Sequence, residues 1–414
     1  MKSLKKITAA VTAVSIVSAL AGCTPSIGSG TKNALTVGSY EIPAGLFIYY
    51  SMQGYSEAAK VLETNNGTAP ELKDVRNAKI DEIDSTDWIQ NKATEYCIAY
   101  AGIQNEFDAI GGELTQDDKD TAEEMAEYYF AQDSRLDKNG VSIDTMRKMA
   151  ESTFKEKEIF KYYYGFDGDK GCSEDELKDY FDENFARVKY VSISLKDDAG
   201  EKVAPDKERE LRNMAEKYAK QINGKSDDLD KMHEMDAVSE DYNEYVAANT
   251  TTAEGEESVT TTTTTITAVS DETTTTTTTN PYENERLIQK QTTTSAEEAS
   301  EQDSETEAAE ETDDAKNTRL FNEFLFNELP MGEAKVYEYS DDTIYVVLRA
   351  DLRERMTEDD YWSEDYIESL QSMRYYNDFT DFLDEKSKEL VIEKNKSAYR
   401  RYAPFKLELE AQGQ

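Results

Sequence analysis

Between about Asn249 and Asp314 the chain stops reading like a folded protein. Thr260 to Thr265 and Thr273 to Thr279 are uninterrupted threonine runs, Thr292 to Thr294 adds a third, and acidic residues dominate Glu297 to Asp314. No apolar periodicity survives across it. Such a stretch lacks the apolar surface to offset its ordering entropy, about 1–2 kcal/mol per residue. A threonine-rich β-solenoid would need glycine turns and a repeat period, and neither is present. The expectation is a disordered Thr-rich and acidic insert over residues 244–316, which is also a candidate glycosylated stalk. Any fold must therefore be assembled from the blocks before and after it.

The amino terminus constrains the compartment. Lys2, Lys5 and Lys6 precede an apolar run from Ile7 to Ala19, too short to span a bilayer comfortably. Leu20-Ala21-Gly22-Cys23 follows at once and resembles the lipobox of bacterial lipoproteins. The resemblance implies cleavage before Cys23, a diacylglyceryl group on its sulfur, and a cell-membrane location on the extracytoplasmic face. The competing reading is an ordinary secretory signal with a chance cysteine. Two acyl chains suffice for stable anchoring, and no other stretch of about 20 apolar residues occurs.

Charge narrows the partners. The chain carries 46 Lys+Arg and 87 Asp+Glu, a formal charge of -41. Removing the three lysines of residues 1–22 leaves 43 basic against 87 acidic side chains, or -44. A polyanion of this size excludes nucleic acid and anionic headgroups as partners of its general surface. Twenty-six Tyr and 14 Phe supply material for a core and for half-wet binding surfaces. After Cys23 only Cys97 and Cys172 remain, either a disulfide or, as expected here, two isolated thiols.

Outside the insert, helices dominate. Ala34 to Tyr40 reads as a strand and Pro43 opens a helix. Further helices start at the cap signals Ser85-Thr86-Asp87, Thr115, Ser142 and Ser173, the last with Glu176 in capping-box position. Val188 to Leu195 switches to strand periodicity, and a helix follows from Pro205. After the insert, Phe321, Phe324, Leu325 and Leu329 form a helix, and Ala334 to Tyr339 with Thr343 to Arg349 form a hairpin. Thr357 is read as the cap of a long final helix.

This order, with Phe321 to Glu333 ending in Leu329-Pro330-Met331-Gly332-Glu333, resembles the extracytoplasmic foldases of the PrsA and SurA type. Ser173 to Ser194 is similar to the family's linking helix and first parvulin strand, and Leu229 to Tyr242 to its second helix. The resemblance implies an α+β fold: a mainly helical chaperone domain built from both chain ends, with an inserted small parvulin-like module. Active parvulins carry two facing histidines. Aligned on the strand patterns, Tyr190 and Tyr345 occupy those positions, and the glycine-rich stretch and pocket fall in the insert. The resemblance thus implies a foldase or chaperone that binds unfolded, newly exported polypeptides through a catalytically inactive parvulin-like module. The alternatives are an active peptidyl-prolyl isomerase and a solute-binding or surface scaffold lipoprotein.

Other chemistry is thinly represented. His233 is the single imidazole, so Ser-His-Asp and Cys-His arrangements depend on it, and a solvated helix position is its expected place. Zinc has too few soft ligands, and no phosphate loop occurs. Asp167-Gly168-Asp169-Lys170-Gly171 is read as a surface turn, because a calcium loop would need Glu where Lys178 stands. No cofactor or metal is expected. The pairs Tyr49-Tyr50, Tyr128-Tyr129 and Tyr375-Tyr376, with Tyr162 to Tyr164, read as packing or as a cradle for client chains.

The expected organisation is a signal peptide (1–22), a lipid-anchored tether (23–34) and a helical domain in two parts (35–185 and 350–400). A parvulin-like module (186–243 and 317–349) is split by the insert (244–316), and a tail (401–414) ends the chain.

Overall fold

The computed structural model describes residues 29–249, 282, 284–291 and 312–409. The fold is α+β. The described chain divides into two compact units, one running to Gly171 and resuming at Tyr375, the other Cys172–Arg374. Cys23 and most of the Thr-rich insert lie outside the described residues.

The first unit opens with a hairpin of β1 (Asn33–Val37) and β2 (Tyr40–Pro43). Its two-residue turn places Gly38 at φ +58°, where a side chain would be strained. Then come α1 (Ala44–Asn66), α2 (Leu72–Asn77), the short pair β3 (Lys79–Ile80) and β4 (Ile83–Asp84), and α3 (Ser85–Ala109). α4 (Gln116–Gln132), α5 (Ser134–Lys138) and α6 (Ile143–Tyr164) follow. Thr115 and Ser142 cap α4 and α6 by accepting the Asp118 and Thr145 amides, which satisfies otherwise orphaned donors. The core gathers Phe47, Ile48, Ile89, Ala93 and Cys97, all fully buried.

The second unit begins with α7 (Glu174–Asn184), started by the Ser173–Glu176 capping box read from sequence. It runs directly into β5 (Phe185–Ser194), followed by α8 (Pro205–Asn223) and α9 (Asp228–Asn249). Then come β6 (Arg286–Gln289), α10 (Asp313–Asn327), β7 (Ala334–Ser340), β8 (Thr343–Ala350) and the start of α11 (Glu364–Lys388), whose residues from Tyr375 on belong to the first unit. The sheet order is β6-β5-β8-β7, all antiparallel. Strand alternation sends Val191, Ile193, Ile344 and Val346 to one face, where they pack with Leu211, Tyr218 and Met235 of α8 and α9. Val188 and Val347 point to the other face, with Phe321, Phe324 and Leu325 of α10.

β6 corrects the expectation of an unbroken disordered insert. Its four residues pair with β5, Arg286 opposite Val188 and Ile288 opposite Ala186. The strand has little apolar surface of its own; buried charge fixes it. Arg187, 1% exposed, donates from Nε and Nη2 to Glu285 Oε1 at 3.0 and 2.7 Å. Arg355 Nη1 donates to Glu285 Oε2 at 2.7 Å. The Tyr282 ring lies 5.3 and 4.2 Å from the two guanidinium carbons. Asn322 of α10 holds the other end, donating to the Gln289 carbonyl and accepting the Gln291 amide.

Other boundaries also move. α9 continues to Asn249 and α10 starts at Asp313, so both enter the range read as insert. α11 starts at Glu364, not Thr357, whose carbonyl instead closes a turn by accepting the Asp360 and Trp362 amides. Residues 172–185 and 350–374, read as parts of the helical domain, belong to the second unit. The tail expected from residue 401 is folded as far as Leu409. β9 (Ile392–Lys394) pairs with β1 and α12 (Lys396–Arg401) follows. Tyr402 and Leu409 are buried, and the Leu409 carbonyl accepts from Arg135 at 2.6 Å. The short apolar signals there become significant only against a partner surface from the other end of the chain.

Candidate functional site

The α10-side face of the second unit's sheet carries a row of aromatic rings. Tyr190 on β5 stands opposite Val347, and Tyr345 on β8 opposite Ser192, so the two tyrosines are diagonal neighbours on one face. Their rings stack at 4.7 Å between centroids with 29° between planes. Tyr339 of β7 continues the row, stacking on Tyr345 at 4.6 Å. The Arg286 guanidinium lies 4.8 Å from the Tyr190 ring centre, a cation–π contact. Phe321 of α10 meets Tyr190 and Tyr345 edge-on at 6.0 and 5.3 Å. The tyrosines of the row are half-buried.

Electrostatics define what this face can do. Burial raises the Tyr190 hydroxyl pKa, and Arg286 partly opposes the rise. Burial raises that of Tyr345 well beyond the ordinary tyrosine range, with Tyr190 and Tyr339 adding to it. Both phenols therefore stay protonated at neutral pH. They can donate and accept hydrogen bonds and present ring faces, but they are poor proton acceptors. The arrangement suits contact with apolar or imide groups better than proton transfer.

The structure brings Tyr190 and Tyr345 together and leaves the other singled-out residues apart. His233 is exposed on α9 between buried Met232 and Met235. Cys97 and Cys172 are buried free thiols. Asp167 to Gly171 form turns, the Lys170 amide donating to the Tyr163 carbonyl. No group of three His, Cys, Asp or Glu side chains is arranged to hold a metal among the described residues. The tyrosine clusters split: Tyr164 and Tyr375 are buried against each other, while Tyr128, Tyr129, Tyr162 and Tyr376 are 52–68% exposed.

Arg286 and Tyr339 were missed as members of the site. Arg286 lies in the range read as disordered, and its signal was slight: Arg286-Leu287-Ile288-Gln289, two apolar residues between polar ones. Among the described residues, no helix is long and apolar enough to cross a membrane. No family model matches the chain, and no curated protein matches it.

Proposed function

We propose that the chain is a membrane-tethered extracytoplasmic foldase of the PrsA and SurA type, with a parvulin-like module that grips polypeptide without isomerising proline bonds. Lipidation of Cys23 anchors it, and newly exported unfolded chains are its partners. One observation carries the reading. The two residues assigned by the resemblance to the places of the parvulin histidines stack on one another as neutral phenols. The succession of β5, α8, α9, α10, β7 and β8 supports it, since the resemblance rests on those elements; β6, inside the range read as insert, is no part of it. So does the joining of both chain ends in one unit through β1 and β9. Lowering an imide barrier of about 18–20 kcal/mol takes more than two protonated phenols on an aromatic face. A solute-binding lobe built of βαβ units fits less well, because the strand pairs described are antiparallel.

The test pairs two assays on the detergent-solubilised full chain. Aggregation of a chemically denatured enzyme should be suppressed near stoichiometric ratios, while a proline-limited refolding phase keeps its rate. Acceleration of that phase, abolished by Tyr190→Phe or Tyr345→Phe, would overturn the reading.

A further inference from the structure

Arg286 of β6, Tyr190 of β5, Tyr345 of β8 and Tyr339 of β7 step across the second unit's sheet in its strand order, one residue per strand. Neighbouring groups are 4.6–4.8 Å apart, the spacing of the strands themselves. Three such steps make a row about 14 Å long, which about four residues of extended chain span at about 3.3 Å each.

The two ends of the row differ. At one, the exposed Arg286 guanidinium lies over the Tyr190 ring and, among the described residues, pairs with no carboxylate. Arg187, Arg212, Arg353 and Arg355 of the same unit each hold at least one. A guanidinium held over a ring keeps its in-plane N–H donors open to a bidentate acceptor. At the other end, the Tyr339 hydroxyl meets Asp314 at 3.4 Å and Thr318 at 3.2 Å. Between the ends, the Tyr190 and Tyr345 hydroxyls have no hydrogen-bond partner among the described residues. Burial raises both phenol pKa values and Arg286 opposes the rise in each, so its charge is felt at both hydroxyls. Unspent donors and an unpaired cation thus meet at one end of an aromatic row.

We propose that the Arg286 end of this row binds a side-chain carboxylate, so that the module selects extended segments in which an aspartate or glutamate adjoins apolar or aromatic residues. The guanidinium and the neighbouring phenols donate to the carboxylate, and the following side chains lie along the rings. Asp314 repels a second carboxylate at the far end, which fixes the direction of the bound segment. A basic segment is repelled by Arg286, and a neutral one leaves its donors to water. The inference rests on the foldase reading and names its client class.

The experiment measures anisotropy of three 12-residue peptides against the full chain in detergent. All are Leu and Tyr with one central Glu, Gln or Lys, a neutral fluorophore and an amidated carboxyl end. Net charge alone would rank Lys first and Glu last, since the chain carries -41. The proposal expects Glu to bind roughly five-fold tighter than Gln in 0.15 M salt, the effect of one well-formed ion pair. Arg286→Gln, at an exposed position, should abolish that preference and leave the Gln peptide unaffected. Arg209→Gln makes the same change in net charge on α8, across the sheet and 71% exposed, and should leave the preference intact. Tyr190→Phe and Tyr345→Phe keep the rings and should weaken the Glu peptide alone. Fluorescence melting checks that each variant is folded. Equal Glu and Gln affinities, or a preference that survives Arg286→Gln, would overturn the proposal. So would a Gln peptide with a free carboxyl end that binds as tightly as the Glu peptide, because the occupant is then a chain terminus. Self-association that the Glu peptide competes away would also overturn it, since the acids of a second copy then fill the site. Aggregation suppression without any Glu preference sinks this subsite and leaves the foldase reading standing. Glu-selective binding without aggregation suppression does the reverse.

Discussion

Glu285→Ala tests how β6 is held. The change removes three charge-assisted hydrogen bonds, two from Arg187 and one from Arg355, at 2.7–3.0 Å. Arg187 keeps Nη1 on the Asp351 carbonyl at 2.6 Å and on Glu354 at 3.1 Å. At 1% exposure, water cannot readily replace what is lost. Deleting one partner of a buried ion pair costs about 3–5 kcal/mol, and the retained contacts place this case near 3 kcal/mol. With a urea slope of about 2 kcal/mol/M, the midpoint falls by about 1.5 M. The chain's two tryptophans allow the second unit to be read alone. Trp88 lies in the first unit, and Trp362, 7% exposed with its indole N–H donating to Glu174 at 3.0 Å, in the second. A Trp88→Phe background leaves Trp362 as the reporter. Arg187→Met combined with Glu285→Leu should lose less than Glu285→Ala alone, since no buried Arg187 guanidinium is then left without its partner. A single-variant loss below about 0.5 kcal/mol, the size of an exposed pair, would refute the clamp.

Two further perturbations probe local packing and titration. A Cβ on Gly102 of α3 would stand 2.1 Å from Ser387 Oγ on α11, so Gly102→Ala should lose about 1–3 kcal/mol to overpacking, read by Trp88 fluorescence. Adding Ser387→Ala should restore stability, because alanine is the better helix former by about 1 kcal/mol; failure of that rescue would refute the close approach. The Glu176 carboxylate accepts the Ser173 amide and hydroxyl, which holds its pKa below the ordinary 4.5. A depressed folded pKa means stability present above 4.5 and lost as pH falls, so the deficit of Glu176→Gln should be largest at neutral pH and vanish in acid. A deficit that grows on acidification, by Trp362 melting, would contradict it.

Local chemistry was legible from the chain because it acts over three or four residues. Thr115, Ser142 and Ser173 announced α4, α6 and α7, since a hydroxyl accepting an amide three positions on needs no distant partner. The alternation of Val188 to Leu195 and of Thr343 to Arg349 announced β5 and β8, and with them the face shared by Tyr190 and Tyr345. Tertiary structure decided what depends on distant partners. Arg286 to Gln289 has the local composition of a loop and becomes a strand because Arg187, Arg355 and Asn322 hold its two ends. The tail read from residue 401 is folded as far as Leu409, because Arg135 of α5 takes the Leu409 carbonyl and because β9, just before it, finds an open edge on β1. The site divides in the same way: the tyrosine pair follows from a period of two, whereas Arg286 over Tyr190 exists only once β6 has docked.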